Sequence, residues 1–322
     1  MKPTYTHAAD FHQERDFGKK ISATFECIAA HFRPLGKCLL YFVLPPTMLA
    51  GVGMGLMTNT MFNMAAGQAT GKSAVATDAV LVSAFSGVGL AMLAGILSFM
   101  LLLSTVYGYI RLVLATETTP TPGQVWQEIK SRGGRMLLAF LFVVALYAVL
   151  FAVIGGLMAV STSFALLLFI LFPLAFYVMV PLSLYFPVLW LEDGSLGHAL
   201  RRCFYLIQGK WWSTFGLLMV TAMIQGMIAM MFALPQYAVM FGKMLKIPGL
   251  ESDALGIIAQ CLYALGIMFT YTIPLMAVVF QYFNLVERKE GMGLRSLIDS
   301  IGQGPAPVAY NEAYRADDEG EY

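Results

Sequence analysis

The sequence predicts an all-α membrane protein with about six transmembrane helices, and three observations carry that prediction. Of its 322 residues 58% are apolar and only 12% are charged, about half the charge of an average soluble domain. Apolar runs of about 20 residues, enough to cross a hydrocarbon core of roughly 30 Å as helix, recur along the chain. Lys and Arg gather on alternate connecting segments, the bias that marks cytoplasmic loops. A net charge of only +1 gives no reason to expect a nucleic acid as partner.

Residues 1–16 read as a polar N-terminal segment. They and the residues after them carry Asp10, Glu14, Arg15, Asp16, Lys19 and Lys20, without the short apolar core and small-residue cleavage site of a secretory signal. The first span is therefore expected to be retained as an anchor. His7, Asp10, His12 and Glu14 lie close enough in sequence for weak metal binding, but the expectation is a mobile polar lead-in. No two of the histidines His7, His12, His31 and His198 stand at the i, i+4 spacing that sets two imidazoles on one helix face, so no metal site is expected.

Residues 17–301 read as a six-span helical membrane domain. Phe17, Ile21, Phe25, Ile28 and Phe32 recur at three- or four-residue spacing with Lys20 and Glu26 on other faces, the pattern of a helix lying in the membrane interface. Spans follow near Leu35 to Met57, Leu81 to Tyr107, Met136 to Val160, Phe164 to Trp190, Phe215 to Leu234 and Leu255 to Phe283. The second run stays apolar to Ala115 apart from Arg111, so its helix should protrude or tilt. Leu294, Leu297, Ile298 and Ile301 have the helical spacing expected of a last interfacial turn, and the tail at 302–322, rich in Pro, Gly and acidic residues, should be disordered.

Two further amphipathic stretches precede spans. In one, Thr121 caps and Pro122 opens a short helix with Val125, Trp126 and Ile129 as its stripe. In the other, Ser195 caps a helix carrying Leu196, Leu200, Cys203, Phe204 and Ile207, stopped at Gly209. With the helix at Phe17 they make three cytosolic amphipathic interfacial helices, each feeding a span, and hence a threefold helix-hairpin repeat. Placing both termini in the cytosol leaves only Lys72, Lys243 and Lys246 of the Lys and Arg residues outside, and sets Trp126, Trp190, Trp211 and Trp212 at the inner interface.

Ser83, Gly87, Ala91 and Gly95 repeat every four residues, as do Gly51 and Gly55, which lets helices approach closely. Pro45, Pro46, Pro173, Pro181 and Pro274 are candidate kinks, with Pro187 in the same series. Cys27, Cys38, Cys203 and Cys261 occur singly and read as packing residues rather than a disulfide or zinc set. No ionisable group falls at membrane depth, where ion-coupled transport or catalysis would place one. No phosphate loop, nucleophile elbow or dinucleotide fingerprint occurs either. An enzyme at the inner interface would need Glu192, Asp193, His198 and Arg201 to converge. A helix start followed by a basic membrane-facing surface explains them as well.

Phe17-Gly18-Lys19-Lys20, Pro181-Leu182-Ser183, Leu191-Glu192-Asp193 and Leu206-Ile207-Gln208-Gly209-Lys210-Trp211-Trp212 resemble a family of bacterial multipass proteins, similar to the membrane domain that accompanies some glycerophosphodiester phosphodiesterases. The resemblance implies a six-span bacterial inner-membrane protein. It carries over no catalytic residue, because catalysis in those enzymes belongs to a separate soluble barrel that nothing here matches.

These observations lead to the expectation of a non-enzymatic scaffold or accessory subunit of a membrane complex, with no cofactor. It would contact the bilayer and another membrane or cytosolic protein. Phe17, Ile21, Phe25, Trp126, Arg201, Arg202, Trp211 and Trp212 are the candidate interface. The alternative is a transporter or lipid-handling protein, for which kinked spans and Met219, Met223, Met227, Met230 and Met231 offer an adaptable apolar surface.

Overall fold

The computed structural model describes residues 5–69, 78–160, 168–250 and 252–291. Lys72, the first residues of the fourth expected span, the interfacial turn from Leu294 to Ile301 and the tail at 302–322 lie outside the described residues. Within them the chain forms α1 (Ala8–Phe11), α2 (Phe17–Ala30), α3 (Phe32–Phe42), α4 (Leu44–Ala69), α5 (Asp78–Thr116), α6 (Pro122–Val160), α7 (Leu168–Ser183), α8 (Tyr185–Leu191), α9 (Leu196–Ile207), α10 (Trp211–Met244), α11 (Asp253–Thr270) and α12 (Thr272–Glu290). There is no strand among the described residues. Five helical segments are long and apolar enough to cross a membrane, and α3 with α4, bent by 55°, makes a sixth. The chain is an all-α, multipass membrane protein.

Four helix breaks share one cause. α2, α3, α7 and α11 end at Ala30, Phe42, Ser183 and Thr270, and each of these residues stands four before a proline: Pro34, Pro46, Pro187 and Pro274. A proline offers no N–H to the carbonyl four residues back, and its ring crowds that carbonyl. The helix therefore stops there and restarts with the proline in its first turn, where the missing N–H costs nothing. The kinks expected at Pro45, Pro46 and Pro274 coincide with breaks. Pro173 and Pro181 instead lie inside α7 without interrupting it. Pro235, where the fifth span was expected to end, lies inside α10, which continues to Met244.

α5, α4, α11 and α10 pack side by side in that order as a layer. The contact is made by glycines. A Cβ on Gly53 of α4 would lie 2.5 Å from the Ala91 nitrogen and 2.8 Å from the Gly87 oxygen of α5, while on Gly51 it would lie 2.7 Å from the Cys261 Cα of α11. Gly55 meets Ile257 of α11 in the same way. Two glycine faces on one helix thus bring two neighbours to backbone contact, as the small-residue ladders predict. Gly95, also in the expected ladder, has open space beside it.

α5 and α6 have 39 residues each, about 58 Å at about 1.5 Å per residue, nearly twice the hydrocarbon core. Their Arg-bearing ends run into a cap built around α12, with α2, α8 and α9 packed on it. The second amphipathic stretch is the opening of α6 and not a separate helix. Gly133 and Gly134 are the only breakers between Val125 and Met136, and a helix tolerates isolated glycines. The third matches expectation: the Ser195 side chain accepts the His198 N–H of α9, and Gly209, at φ +77°, ends the segment before α10.

Candidate functional site

The cap is organised by the last described helix. Thr272-Ile273-Pro274-Leu275-Met276-Ala277-Val278-Val279-Phe280 is apolar on all sides, and every residue from Thr272 through Val286 is buried, as expected of a helix with no polar face. Gln281 and Asn284 are buried with it and need partners. Gln281 Oε1 accepts from Lys20 Nζ of α2 at 2.7 Å, and its Nε2 donates to Thr214 Oγ1 of α10 at 2.7 Å. Asn284 Nδ2 donates to the Arg15 carbonyl at 2.9 Å. Burial, with Arg288 and Lys210 nearby, pulls the Lys20 ammonium down to about 8.

The N-terminal segment is part of this cap. Tyr5 and Phe11 are buried, Phe11 stacks on Phe280 with centroids 5.7 Å apart, and the Arg15 guanidinium lies 5.1 Å from the Phe280 centroid. His31 bridges Tyr109 Oη at 2.8 Å and the Tyr5 carbonyl at 3.1 Å. The side chains of the expected mobile polar lead-in go to different partners in the cap. His7 meets Glu117 at 3.2 Å, His12 meets Glu287 at 4.0 Å and Glu14 meets Arg288 at 3.6 Å.

Between α5, α8, α9 and α12 lies a cleft of about 630 Å³ walled by His12, Arg111, Glu192, His198, Arg202 and Tyr282. Its two arginines are answered by carboxylates in and around it. Arg111 pairs with Glu128 and Asp193, both at 3.3 Å, and donates to the Trp190 carbonyl at 2.7 Å. Arg202 pairs with Glu192 at 3.0 Å and with Glu290, and Tyr282 Oη donates to Glu192 at 2.9 Å. Hydrogen bonds from Arg132 and Arg111 hold the Asp193 carboxyl below its ordinary range, while Glu290 and Glu192 raise the Arg202 guanidinium. Burial pushes the Cys203 thiol up to about 12. As assembled, these groups tie α5, α6, α8, α9 and α12 together. Arg202, not Arg201, joins Glu192; Arg201 is exposed.

A second, apolar groove of about 540 Å³ opens between α3 and the junction of α11 with α12, with Ile228 of α10 on its wall. Leu35, Leu39, Phe269 and Ile273 line it, and Arg33 and Lys37 edge it. The same two cations edge a neighbouring cleft of about 570 Å³ and of mixed polarity, against Thr119, Pro120, Thr121 and Pro122.

The expected interface residues lie on four helices, α2, α6, α9 and α10. On α2, Lys20, expected on a polar face, turns inward. Lys20, Ala23, Thr24 and Cys27 face inward, whereas Phe17 and Phe25, with Phe32 at the start of α3, are 40%, 37% and 70% exposed; Ile21 is half-buried. Small Ala23 and Cys27 allow α2 close to α12, and Gln281 supplies the buried ammonium with an acceptor, which leaves the aromatic stripe for the lipid side. Trp126 stacks on Phe42 at 5.2 Å and receives Lys130 over its ring at 5.3 Å. Trp212 is 77% exposed. Trp211 stacks between Tyr177 and Phe215 and its indole N–H donates to the Tyr177 carbonyl at 3.0 Å. That carbonyl stands four residues before Pro181, so Trp211 supplies the donor that the proline lacks.

Sequence reasoning missed Gln281, Asn284, Tyr282 and the partners of Lys20. The available signal was amides interrupting an apolar run, combined with a lysine in line with small residues on α2. No protein-family model, curated protein or solved structure matches the chain.

Proposed function

We propose that the protein is a non-enzymatic accessory or scaffold subunit of a membrane complex, and that α6 is the helix on which a partner span seats. The observation that carries this reading is the isolation of α6. Within its apolar stretch 11% of residues are buried, against 50% for the α7 and α8 segment and 44% for α11 with α12. Leu138, Leu141, Val149 and Val153 are all more than half exposed, and a Cβ added at Gly155 or Gly156 would meet nothing within 4 Å among the described residues. Adjacent glycines invite close helix approach, and in the rest of the bundle Gly51, Gly53 and Gly55 are used that way. The self-paired charges of the cap fit a rigid platform under that helix.

The remaining expectations belong to the same proposal. The protein sits in the bacterial cytoplasmic membrane with both termini and the Arg-rich cap in the cytosol, supported by the Lys and Arg bias. Membership of the family that resembles the glycerophosphodiester phosphodiesterase membrane domain rests on the segments quoted above.

The test is photo-crosslinking from Val149 and Val153 in native membranes, followed by gentle extraction of the full chain. A single membrane protein captured from both positions, and lost in Gly155→Leu, is the expected result. Capture of lipid alone, together with solute movement by the pure protein in liposomes, would replace the accessory reading with a transport one.

A further inference from the structure

We infer that the groove between α3 and the α11 and α12 junction binds one anionic glycerophospholipid, with an acyl chain in the groove and the headgroup phosphate at Arg33 and Lys37. Four observations support it. The groove's volume of about 540 Å³ falls in the range of about 300–1,000 Å³ that encloses a small ligand, and its walls are almost wholly apolar, which suits a hydrocarbon chain.

Arg33 and Lys37 stand one turn apart on α3, so their side chains share a face. They divide the apolar groove from a cleft of mixed polarity beside Thr119 and Thr121. A ligand crossing that boundary meets hydrocarbon walls on one side of the two cations and a partly polar surface on the other, which suits a lipid with its phosphate at the line between. Both side chains are exposed, and neither makes an ion pair among the described residues. The contrast with Arg111, Arg132 and Arg202, each held by a carboxylate, leaves this positive charge for an anion from outside.

Thr272 is 4% exposed, lines the groove, and its hydroxyl has no hydrogen-bond partner among the described residues. An unpaired buried hydroxyl is costly, and the ester carbonyl of a bound lipid would accept from it. Finally, the groove opens beside Phe32, Leu40 and Tyr41, which are 70%, 50% and 67% exposed on α3. In a membrane-spanning chain such a surface faces lipid, so the occupant enters from the leaflet.

The test uses the full-length protein in nanodiscs of phosphatidylcholine with or without phosphatidylglycerol, read by native mass spectrometry of retained lipid. The wild type should retain one phosphatidylglycerol in preference to phosphatidylcholine by about tenfold or more. Arg33→Gln with Lys37→Gln should remove the preference while leaving thermal stability unchanged, because both residues are exposed. Gly36→Leu, at a groove position with open space beside it, should abolish retention of either lipid without touching the cations. Equal retention of the two lipids by the wild type, or unchanged retention in Gly36→Leu, would overturn the site. So would displacement of the bound lipid by millimolar inorganic phosphate, because it would mean the acyl chain adds nothing.

Discussion

Around α4 the helices meet where side chains are missing, and around α12 they meet through side chains that must each find a partner. In the first region a Cβ on Gly53 would collide with the backbone of α5, so the packing depends on nothing being there. In the second, Lys20, Gln281 and Thr214 form a chain of donors and acceptors at 2.7 Å steps, beside stacked rings of Phe11 and Phe280. The layer lies where lipid surrounds it and no hydrophobic force separates helix from solvent, so close approach and dispersion carry the association. The cap gathers Arg111, Arg202, Glu128, Glu192 and Tyr282, where hydrogen bonds and paired charges do the holding. The first region is limited by added volume; the second is limited by lost hydrogen-bond partners as well.

The largest effect should come from adding volume to the layer. Gly53→Val is expected to cost about 3 kcal/mol, read as loss of monodisperse protein in detergent. Gly95→Val, on α5 but with open space around its Cβ position, should stay within about 0.5 kcal/mol. If both behave alike, the glycine contact does not hold α4 to α5.

Next comes the polar chain of the cap. Gln281→Leu should cost about 2 kcal/mol by stranding the Lys20 ammonium, and Lys20→Met added to it should recover most of the loss in thermal melts. A double variant as weak as the single one would show that Gln281 matters for its shape rather than its acceptor. Trp211→Phe should cost about 1 kcal/mol, and less than that in a Pro181→Ala background, where the helix supplies its own donor to Tyr177. Equal costs in the two backgrounds would mean that the indole N–H is not what the Tyr177 carbonyl depends on.

A pH dependence tests the same buried ammonium. The Lys20 ammonium sits at about 8 when folded against 10.5 when unfolded, so between those values the unfolded chain binds more protons. Stability should therefore rise as pH goes from 8 to 10.5, in wild type more than in Lys20→Met. A melting-temperature profile that is the same in both would remove Lys20 as its source.

Much of the layer was legible in the sequence, because glycine spacing and apolar length are themselves the physics that builds it. Ser195 and Gly209 were legible for the same reason: a cap and a left-handed stop are local. The cap around α12 was not. Whether Lys20 points to water or to Gln281 depends on a residue 261 positions away, and periodicity on α2 alone fits a helix lying on the membrane either way up. The prolines were half legible. Their positions are visible, but which of them break a helix depends on whether the freed carbonyl finds a new donor, as Tyr177 does in Trp211.

The clasp between α2 and α12 also sets an order of events during synthesis. Lys20 leaves the ribosome before Gln281 by 261 residues, on the order of 10–50 s at about 5–20 residues per second. Throughout that interval Lys20 and Cys27 lack Gln281 and Met276, their partners on α12 in the folded protein. α12, made long after α2, is the helix that closes it, so a chain halted short of Thr272 carries Lys20 without its Gln281 acceptor.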